Sequence, residues 1–352
     1  MNVLVIGGTG YIGSHTVEEL ARRGHEVSVF ARGSLRPFLP QAVRFIKGDR
    51  HNAEDLAQLR SYRFEAVIDI NAYTREESQA VINLFGNDLH RFIHLSTISV
   101  YPLTSAMPLA EDSPLVTDPT LHYGYNKAEC ERALRWAFTR NGFPYVAIRP
   151  PAVFGPRDDK SRENYYLKRM IAGGPVIIPD SGVMPIFAVY VKDLAMAMVN
   201  AITAEGTTGK AFNVAQAEMV SINDHISNIA RIAQVEAHTL SVPSRLLERL
   251  GFNLHYLPYY SGGKLIVIDT SSAQTSLGFH PTPYQKALNE TVEYFLEHIP
   301  ETQKSIEDRM PPVMPRLRER TLVERYKGET RLLEDRLTDE WLNEAMPSLN
   351  DE

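Results

Sequence analysis

Gly7-Gly8-Thr9-Gly10-Tyr11-Ile12-Gly13 follows a short apolar run at residues 3–6 and precedes a segment with one apolar face. This order predicts a strand, a glycine turn and a helix. The first glycine permits the tight turn, the second lets the backbone approach a pyrophosphate, and the third lets the helix pack closely on the strand. Because the helix N-terminus then faces the phosphates, the stretch predicts a dinucleotide-binding site.

Apolar runs typical of strands recur after the glycine turn, with helical patterns between them. They lie at residues 26–30, 43–46, 66–70, 92–95 and 145–148. The alternation predicts an α/β fold, a doubly wound parallel sheet with helices on both faces and one ligand-binding edge at the carboxyl ends of its strands. We therefore predict a Rossmann domain that binds NAD(P) at residues 1–150.

The alternation loosens after residue 150, and helical patterns near 191–203 and 222–233 indicate a smaller substrate-binding lobe at 151–298, interleaved with the first domain. A charged C-terminal extension follows at 299–352. Within it Leu333, Leu337 and Trp341 recur every four residues, a spacing that predicts one amphipathic helix.

The composition restricts the class of protein. The chain has 352 residues, a formal net charge of −6 and a single cysteine, Cys130. The acidic balance does not favour a nucleic acid or an anionic membrane as partner. The chain lacks an apolar run of the ~20 residues that cross a bilayer, and the first strand begins at the N-terminus. We expect a cytoplasmic protein, which the lone cysteine also suits.

Tyr123 and Lys127 lie four residues apart at the start of a helical segment that ends near Asn141. This spacing places both side chains on one helix face. A tyrosine accepts protons near neutral pH only when its phenolate is favoured, and a neighbouring ammonium supplies the charge for that. The pair predicts a proton-transferring tyrosine with an activating lysine. An ordinary surface lysine is the alternative interpretation of the same spacing.

A predicted strand runs into hydroxyl residues at Ser96-Thr97-Ile98-Ser99, which places Thr97 at the ligand edge. With these residues assembled, the chain resembles the extended short-chain dehydrogenase/reductase family, which contains nucleotide-sugar epimerases and dehydratases of the NAD-dependent epimerase/dehydratase type. The resemblance spans residues 1 to about 298. Further landmarks in family order stand at residues 149–156, 191–195, 212–214 and 277–279.

The resemblance implies roles for particular residues. Thr97, Tyr123 and Lys127 would be catalytic, with Tyr123 moving a proton to or from a sugar hydroxyl while hydride passes to the nicotinamide. The implied cofactor contacts are Gly7, Thr9, Gly10, Tyr11, Ile12, Gly13, Arg32, Asp49, Arg50, Asn71, Ala72, Tyr123, Lys127 and Pro150. The implied substrate contacts are Thr97, Ser99, Tyr123 and Asn213. A homodimer is expected.

Departures from the family pattern reduce the number of reactions that the resemblance allows. Dehydratases carry Asp-Glu after the threonine, where this chain has Ile98-Ser99, so the acid and base of dehydration are missing. The reactions that remain are oxidation and reduction at one carbon. The enzyme would then be a sugar or nucleotide-sugar epimerase, or alternatively a net reductase or dehydrogenase of a small compound. Asp49-Arg50 also resembles a chloroplast stem-loop RNA-binding subgroup, so an RNA-binding Rossmann protein is a third hypothesis.

The end of the second predicted strand bears on the choice of cofactor. An acidic residue there would bond a ribose 2′-hydroxyl and repel a 2′-phosphate, but the chain has Ala31-Arg32. NAD or NADP are therefore both compatible with the sequence, and a solvated arginine is the alternative role of Arg32. We expect no metal site, because His90 and His94 lack a third ligand nearby.

Overall fold

The computed structural model describes residues 1–33, 39–102, 104–158, 162–249, 252–254 and 257–298. The predicted helix at Leu333, Leu337 and Trp341 lies outside the described residues. Within them, no helix combines the length and the hydropathy needed to cross a membrane.

The strands of the described residues are short and mostly buried. They are β1 (Asn2–Ile6), β2 (Glu26–Ala31), β3 (Arg44–Lys47), β4 (Ala66–Asp69), β5 (Arg91–Leu95), β6 (Tyr145–Arg149), β7 (Ala152–Phe154), β8 (Val176–Pro179), β9 (Ala188–Tyr190), β10 (Lys210–Asn213) and β11 (Thr239–Val242). Seven of them form one parallel sheet in the order β10-β6-β5-β4-β1-β2-β3. Two small parallel pairs, β7 with β9 and β8 with β11, lie outside it.

Helices connect the strands. They are α1 (Tyr11–Arg22), α2 (Ala53–Ala57), α3 (Arg75–Phe85), α4 (His122–Asn141), α5 (Arg162–Ile171), α6 (Val191–Thr203), α7 (Ile222–Ala233), α8 (Ser244–Arg249), α9 (Ser271–Leu277) and α10 (Tyr284–Glu297). Local sequence sets several ends. Thr74 and Glu77 form a capping box at the start of α3, and Gly142 ends α4 in the left-handed conformation.

Both faces of the sheet are covered, as β1 shows. Val3 and Val5 belong to one apolar core, which α1 and α6 share, whereas Leu4 and Ile6 belong to a second core with α3 and α4. All four side chains are at most 1% exposed. A strand buried on both faces is a continuous apolar run, which explains the pattern at residues 3–6. The predicted doubly wound α/β fold is confirmed.

The sheet draws its edge strand from beyond residue 150. β10 pairs in parallel with β6, from Lys210 beside Val146 to Asn213 beside Arg149. The carboxyl ends of β1, β4, β5 and β6 therefore lie along the same edge, and the loops that follow them form the functional site.

Candidate active site

The turn between β1 and α1 brings the backbone into close contact with itself. Gly7 has a φ of +85°, a conformation that favours glycine. A Cβ on Gly13 would lie 2.3 Å from the carbonyl oxygen of Gly7, so only hydrogen fits between helix and loop. Gly10 precedes the helix and offers no capping side chain, which leaves the first N–H groups of α1 for an anion. These residues fit a dinucleotide pyrophosphate.

A cleft of about 690 Å³ begins at this turn and runs along the carboxyl ends of the strands. The residues singled out from the sequence that line it are Gly7, Thr9, Gly10, Tyr11, Ile12, Gly13, Arg32, Asp49, Arg50, Asn71, Thr97, Tyr123, Lys127 and Pro150. Ala72 is fully buried, and its carbonyl oxygen accepts a hydrogen bond from Lys127.

Thr97, Tyr123 and Lys127 meet at one end of the cleft. Thr97 comes two residues after β5, and the other two lie in the first two turns of α4. α4 approaches the preceding loop at Gly124, where a Cβ would lie 2.1 Å from the carbonyl oxygen of Ser99. This contact sets how closely Tyr123 can approach Thr97.

The ammonium group of Lys127 is held beneath the cleft. Lys127 is only 2% exposed. Its Nζ donates a hydrogen bond to the carbonyl oxygen of Leu95 and another, of 2.8 Å, to that of Ala72. The ring of Tyr73 covers Nζ, with its centroid 5.6 Å away. Burial lowers the pKa of Lys127, while neighbouring acidic groups oppose that shift.

Tyr123 is half exposed, and its ring centroid lies 6.5 Å from that of Tyr73. Loss of solvent around the hydroxyl raises the pKa of Tyr123 and exceeds the opposing effects of a hydrogen bond with Thr97 and of the Arg162 charge. Without a ligand, Tyr123 is therefore protonated at neutral pH and can donate as well as accept hydrogen bonds.

Charged side chains occupy the other end of the cleft, after β3. The Asp49 carboxylate accepts hydrogen bonds from the backbone N–H of His51 at 3.0 Å and from its Nδ1 at 2.9 Å, while His51 Nε2 lies 2.7 Å from Glu77. The hydrogen bonds from His51 lower the pKa of Asp49, and those to Asp49 and Glu77 raise the pKa of His51. Asp49 is thus held as a carboxylate at this end.

Arg50 is a supporting residue at the same end. Its side chain is 5% exposed, and Nη1 donates to Asp69 at 2.7 Å and to Asn71 at 2.8 Å. A Cβ on Gly7 would contact Asn71 at 2.9 Å, so Arg50 holds the amide that lies against the glycine turn. The Arg50 guanidinium therefore supports the glycine turn through Asn71.

A sequence model of the NAD dependent epimerase/dehydratase family matches residues 3–215. The chain belongs to this family. The matched region holds the glycine turn, Thr97, Tyr123 and Lys127, so the resemblance predicted from these motifs is confirmed.

Curated relatives carry different names. Chloroplast stem-loop binding protein of 41 kDa b of Arabidopsis thaliana is 28% identical over 236 residues, 63% of this chain and 60% of that protein. A UDP-glucose 4-epimerase of Lactobacillus helveticus is 31% identical over 182 residues, 46% of this chain and 54% of that enzyme. The chain thus spans less than two thirds of the length of these relatives.

Solved structures share the fold. An epimerase of Methanothermobacter thermautotrophicus aligns with a TM-score of 0.73 and 20% identity, covering 86% of this chain and 94% of that one. UDP-glucose 4-epimerase of Thermotoga maritima aligns with a TM-score of 0.71 and 22% identity, covering 85% and 100%. The fold of these structures therefore continues in this chain beyond residue 215.

Two predicted substrate contacts, Ser99 and Asn213, are not among the residues that line the cleft. Asn213 is fully buried, accepts a hydrogen bond from the Tyr101 hydroxyl at 2.7 Å and donates to the carbonyl oxygen of Leu109 at 3.1 Å. Ser99 is exposed next to the cleft, with its hydroxyl 3.3 Å from that of Thr97. Their contact with substrate stays a prediction.

The sequence interpretation missed cleft residues that carry titratable side chains. These residues are His51, Tyr73, Glu77, Asp158 and Arg162. Tyr73 follows Asn71-Ala72 directly, so that position offered a signal. Arg162 offered no such signal, because it lies outside the quoted motifs, at the start of α5, and only the folded chain brings it to the cleft. Among the described residues, no group of three His, Cys, Asp or Glu side chains is arranged to hold a metal ion.

Proposed function

We propose that the protein is an NAD(P)-dependent epimerase of a nucleotide-linked or related sugar that oxidises one hydroxyl to a ketone and then reduces it from the other face. The observation that carries the proposal is the placement of Thr97, Tyr123 and Lys127 in the same cleft as the glycine turn. UDP-glucose 4-epimerases recur among the relatives, which supports a nucleotide-sugar substrate.

When bound, the nicotinamide cofactor supplies the hydride acceptor. Tyr123, as its phenolate, would take the proton of the sugar hydroxyl that is oxidised, and the resulting phenol would give that proton back when the ketone is reduced. The Thr97 hydroxyl bonds the same sugar oxygen and keeps it within reach of Tyr123. Lys127 adds a fixed positive charge beneath them, which favours the phenolate and also holds the nicotinamide ribose.

The structure around Thr97 supports epimerisation over dehydration. Ile98 is 8% exposed and packs into an apolar cluster with Val100 and Tyr101, and Ser99 carries no charge. A 4,6-dehydratase needs an acid and a base at these two positions. We therefore propose that the reaction stops at the exchange of hydride and proton at one carbon.

NADP is proposed as a cofactor alongside NAD because Arg32 lines the cleft directly after β2. A guanidinium there can bond a 2′-phosphate, whereas an acidic residue would repel it. Arg32→Ala should weaken NADP binding by about 1.5–3 kcal/mol, the contribution of a hydrogen bond to a charged group, and leave NAD binding unchanged. Calorimetric titration measures both, and equal losses would show that Arg32 only supports its loop.

The deciding experiment incubates purified protein with UDP-glucose and related nucleotide-sugars and follows the sugar by NMR. We expect an equilibrium mixture of epimers without added cofactor, because each cycle restores it. Tyr123→Phe should lower turnover by about 10²–10⁴-fold or more while cofactor affinity stays within a few-fold. Tyr125→Phe, two residues along the same helix, is the matched control and should keep full activity.

Other outcomes identify the alternative functions. Steady loss of absorbance near 340 nm, roughly the band of reduced nicotinamide, would indicate a net reductase. Binding of a stem-loop RNA, without turnover of any sugar, would favour the activity named for the Arabidopsis relative. We also propose a homodimer, which sedimentation equilibrium measures directly.

A further inference from the structure

The first residue of α5 places a positive charge in the cleft. Arg162 lines the cleft together with Thr97 and Tyr123, and 26% of its side chain is exposed. Its Nη1 donates a hydrogen bond to the carbonyl oxygen of Val153 at 3.1 Å. This bond ties the guanidinium to β7, so its charge has a fixed position.

Arg162 has a set of ionisable neighbours that keep it charged. Its closest acidic group is Asp158, with Nη1 3.7 Å from Oδ2, and Glu163, Tyr259 and Tyr11 also face it. Burial lowers the pKa of Arg162, but the charges of Asp158 and these neighbours outweigh burial and raise it overall. The guanidinium is therefore positive throughout the working pH range.

Lys127 occupies a different position relative to Tyr123. Its ammonium is directed to the carbonyl oxygens of Leu95 and Ala72 below the cleft and is covered by Tyr73. Burial has the largest effect on the pKa of Tyr123 and raises it, as Tyr73 and Cys130 also do, whereas the Thr97 hydrogen bond and the Arg162 charge lower it. The cleft that holds Tyr123 is therefore lined by a cation from α5, Arg162, as well as by Lys127 from α4.

We propose that Arg162 is a positioning residue that stabilises the phenolate of Tyr123 across the cleft, in addition to Lys127. The role rests on the proposed function, in which Tyr123 must ionise to accept the substrate proton. It assigns a catalytic contribution to the lobe, because α5 lies beyond residue 150. Arg162 is paired with Asp158. The positive charge of Arg162 favours the Tyr123 phenolate and the negative charge of Asp158 disfavours it, so both charges affect proton transfer.

The direct test measures the ionisation of Tyr123 without substrate. Protein labelled with [ζ-¹³C]tyrosine and saturated with NAD is titrated by NMR, with the Tyr123 signal assigned by its loss in Tyr123→Phe. Arg162→Gln should raise the pKa of Tyr123 by roughly one unit. Arg162→Lys, which keeps the charge, should shift it by less than half as much. Arg169→Gln is the matched control on the same helix, since that guanidinium lies over Tyr165, and should leave the titration unchanged.

A second variant changes the charge balance in the opposite direction. Asp158→Asn removes the opposing carboxylate while keeping the side-chain shape, so the pKa of Tyr123 should fall. With substrate, the rising limb of the kcat/KM profile should move to lower pH in step, and a fall of one unit corresponds to about a tenfold higher rate below the pKa. This variant also carries the test if Arg162→Gln does not fold.

An unchanged Tyr123 titration in both Arg162→Gln and Asp158→Asn would overturn the proposal. A raised KM in Arg162→Gln with an unmoved pH profile would also overturn it, because Arg162 would then be a substrate contact. Failure of the proposed function has a different signature: no nucleotide-sugar is turned over, although the NMR titration still reports whether Arg162 acts on Tyr123.

Discussion

Glu131 and Arg149 form an ion pair behind the catalytic end of the cleft. Nη2 lies 2.5 Å and Nε 3.0 Å from the two carboxylate oxygens, and neither side chain is more than 6% exposed. Glu131→Gln leaves the Arg149 charge buried without its counter-ion, so we expect unfolding in urea to show a loss of about 3–5 kcal/mol. Glu129→Gln, in a partly exposed pair with Arg132 on the same helix, should cost less than about 1 kcal/mol.

The same pair predicts a pH dependence of stability. Burial raises the pKa of Glu131, but the charge and hydrogen bonds of Arg149 outweigh burial and hold the pKa below its ordinary value. A depressed carboxyl pKa stabilises the fold above the unfolded pKa of about 4.3, and this contribution is lost as the pH falls through the folded pKa. The stability gap between the protein and Glu131→Gln should therefore be full at neutral pH and shrink in acid. A gap that stays constant down to about pH 3 would contradict this assignment.

Local patterns predicted the candidate catalytic residues that the structure brings together in one cleft, and long-range contacts explain which cleft residues were missed. Tyr123 and Lys127 are one helical turn apart, so their common face follows from spacing alone. The target of the Lys127 ammonium does not, because the carbonyl groups of Leu95 and Ala72 come from two other strand ends. Arg162 is one of 37 lysines and arginines in the chain, and only the tertiary placement of α5 sets it apart.

The position of α4 depends on one glycine. Gly124→Ala would place a methyl group 2.1 Å from the carbonyl oxygen of Ser99, so the start of α4 must move away from the loop that carries Thr97. Displacement of a catalytic group by about 1 Å can cost about 10²-fold in rate. We expect Gly124→Ala to lower kcat by about that factor, measured in the epimerisation assay.

A second glycine, directly after α4, separates the effect of helix position from the effect of helix stability. Gly142 ends α4 with a φ of +76° and has open space around its Cα. Gly142→Ala should cost about 1–2 kcal/mol of stability from left-handed strain and leave kcat unchanged. Full activity in Gly124→Ala, with normal Tyr123 geometry, would show that the loop after β5 adapts freely.

The elements themselves were largely predictable, except where their partners are distant in sequence. The central strands β1, β2, β4, β5 and β6 were predicted within about two residues, because burial on both faces produces continuous apolar runs. β10 has only four residues, with Lys210 exposed and Ala211 half-buried, and pairs with β6 more than sixty residues earlier. Such a strand has no local signal, since its burial comes from the sheet it joins.

The two regions predicted at 1–150 and 151–298 share one core. A single apolar cluster includes Val3 and Val17 from the first and Ala197, Phe212 and Phe295 from the second. Between helices, Arg23 of the loop after α1 donates to Asn200 of α6 at 2.7 Å. Neither region can lose its packing without exposing the apolar face of the other.

Calorimetry should therefore show one unfolding transition for residues of both regions, with equal calorimetric and van't Hoff enthalpies. The proposed site of NAD is the glycine turn in the first region, and a ligand at about 100 times its Kd adds about 2.7 kcal/mol of stability. If the regions unfold together, NAD raises the midpoint of the whole transition. Arg162→Gln, whose change lies in the second region, is the matched comparison, and its melting should remain a single transition. Two resolved transitions, of which NAD shifts one, would show that the lobe folds as an independent domain.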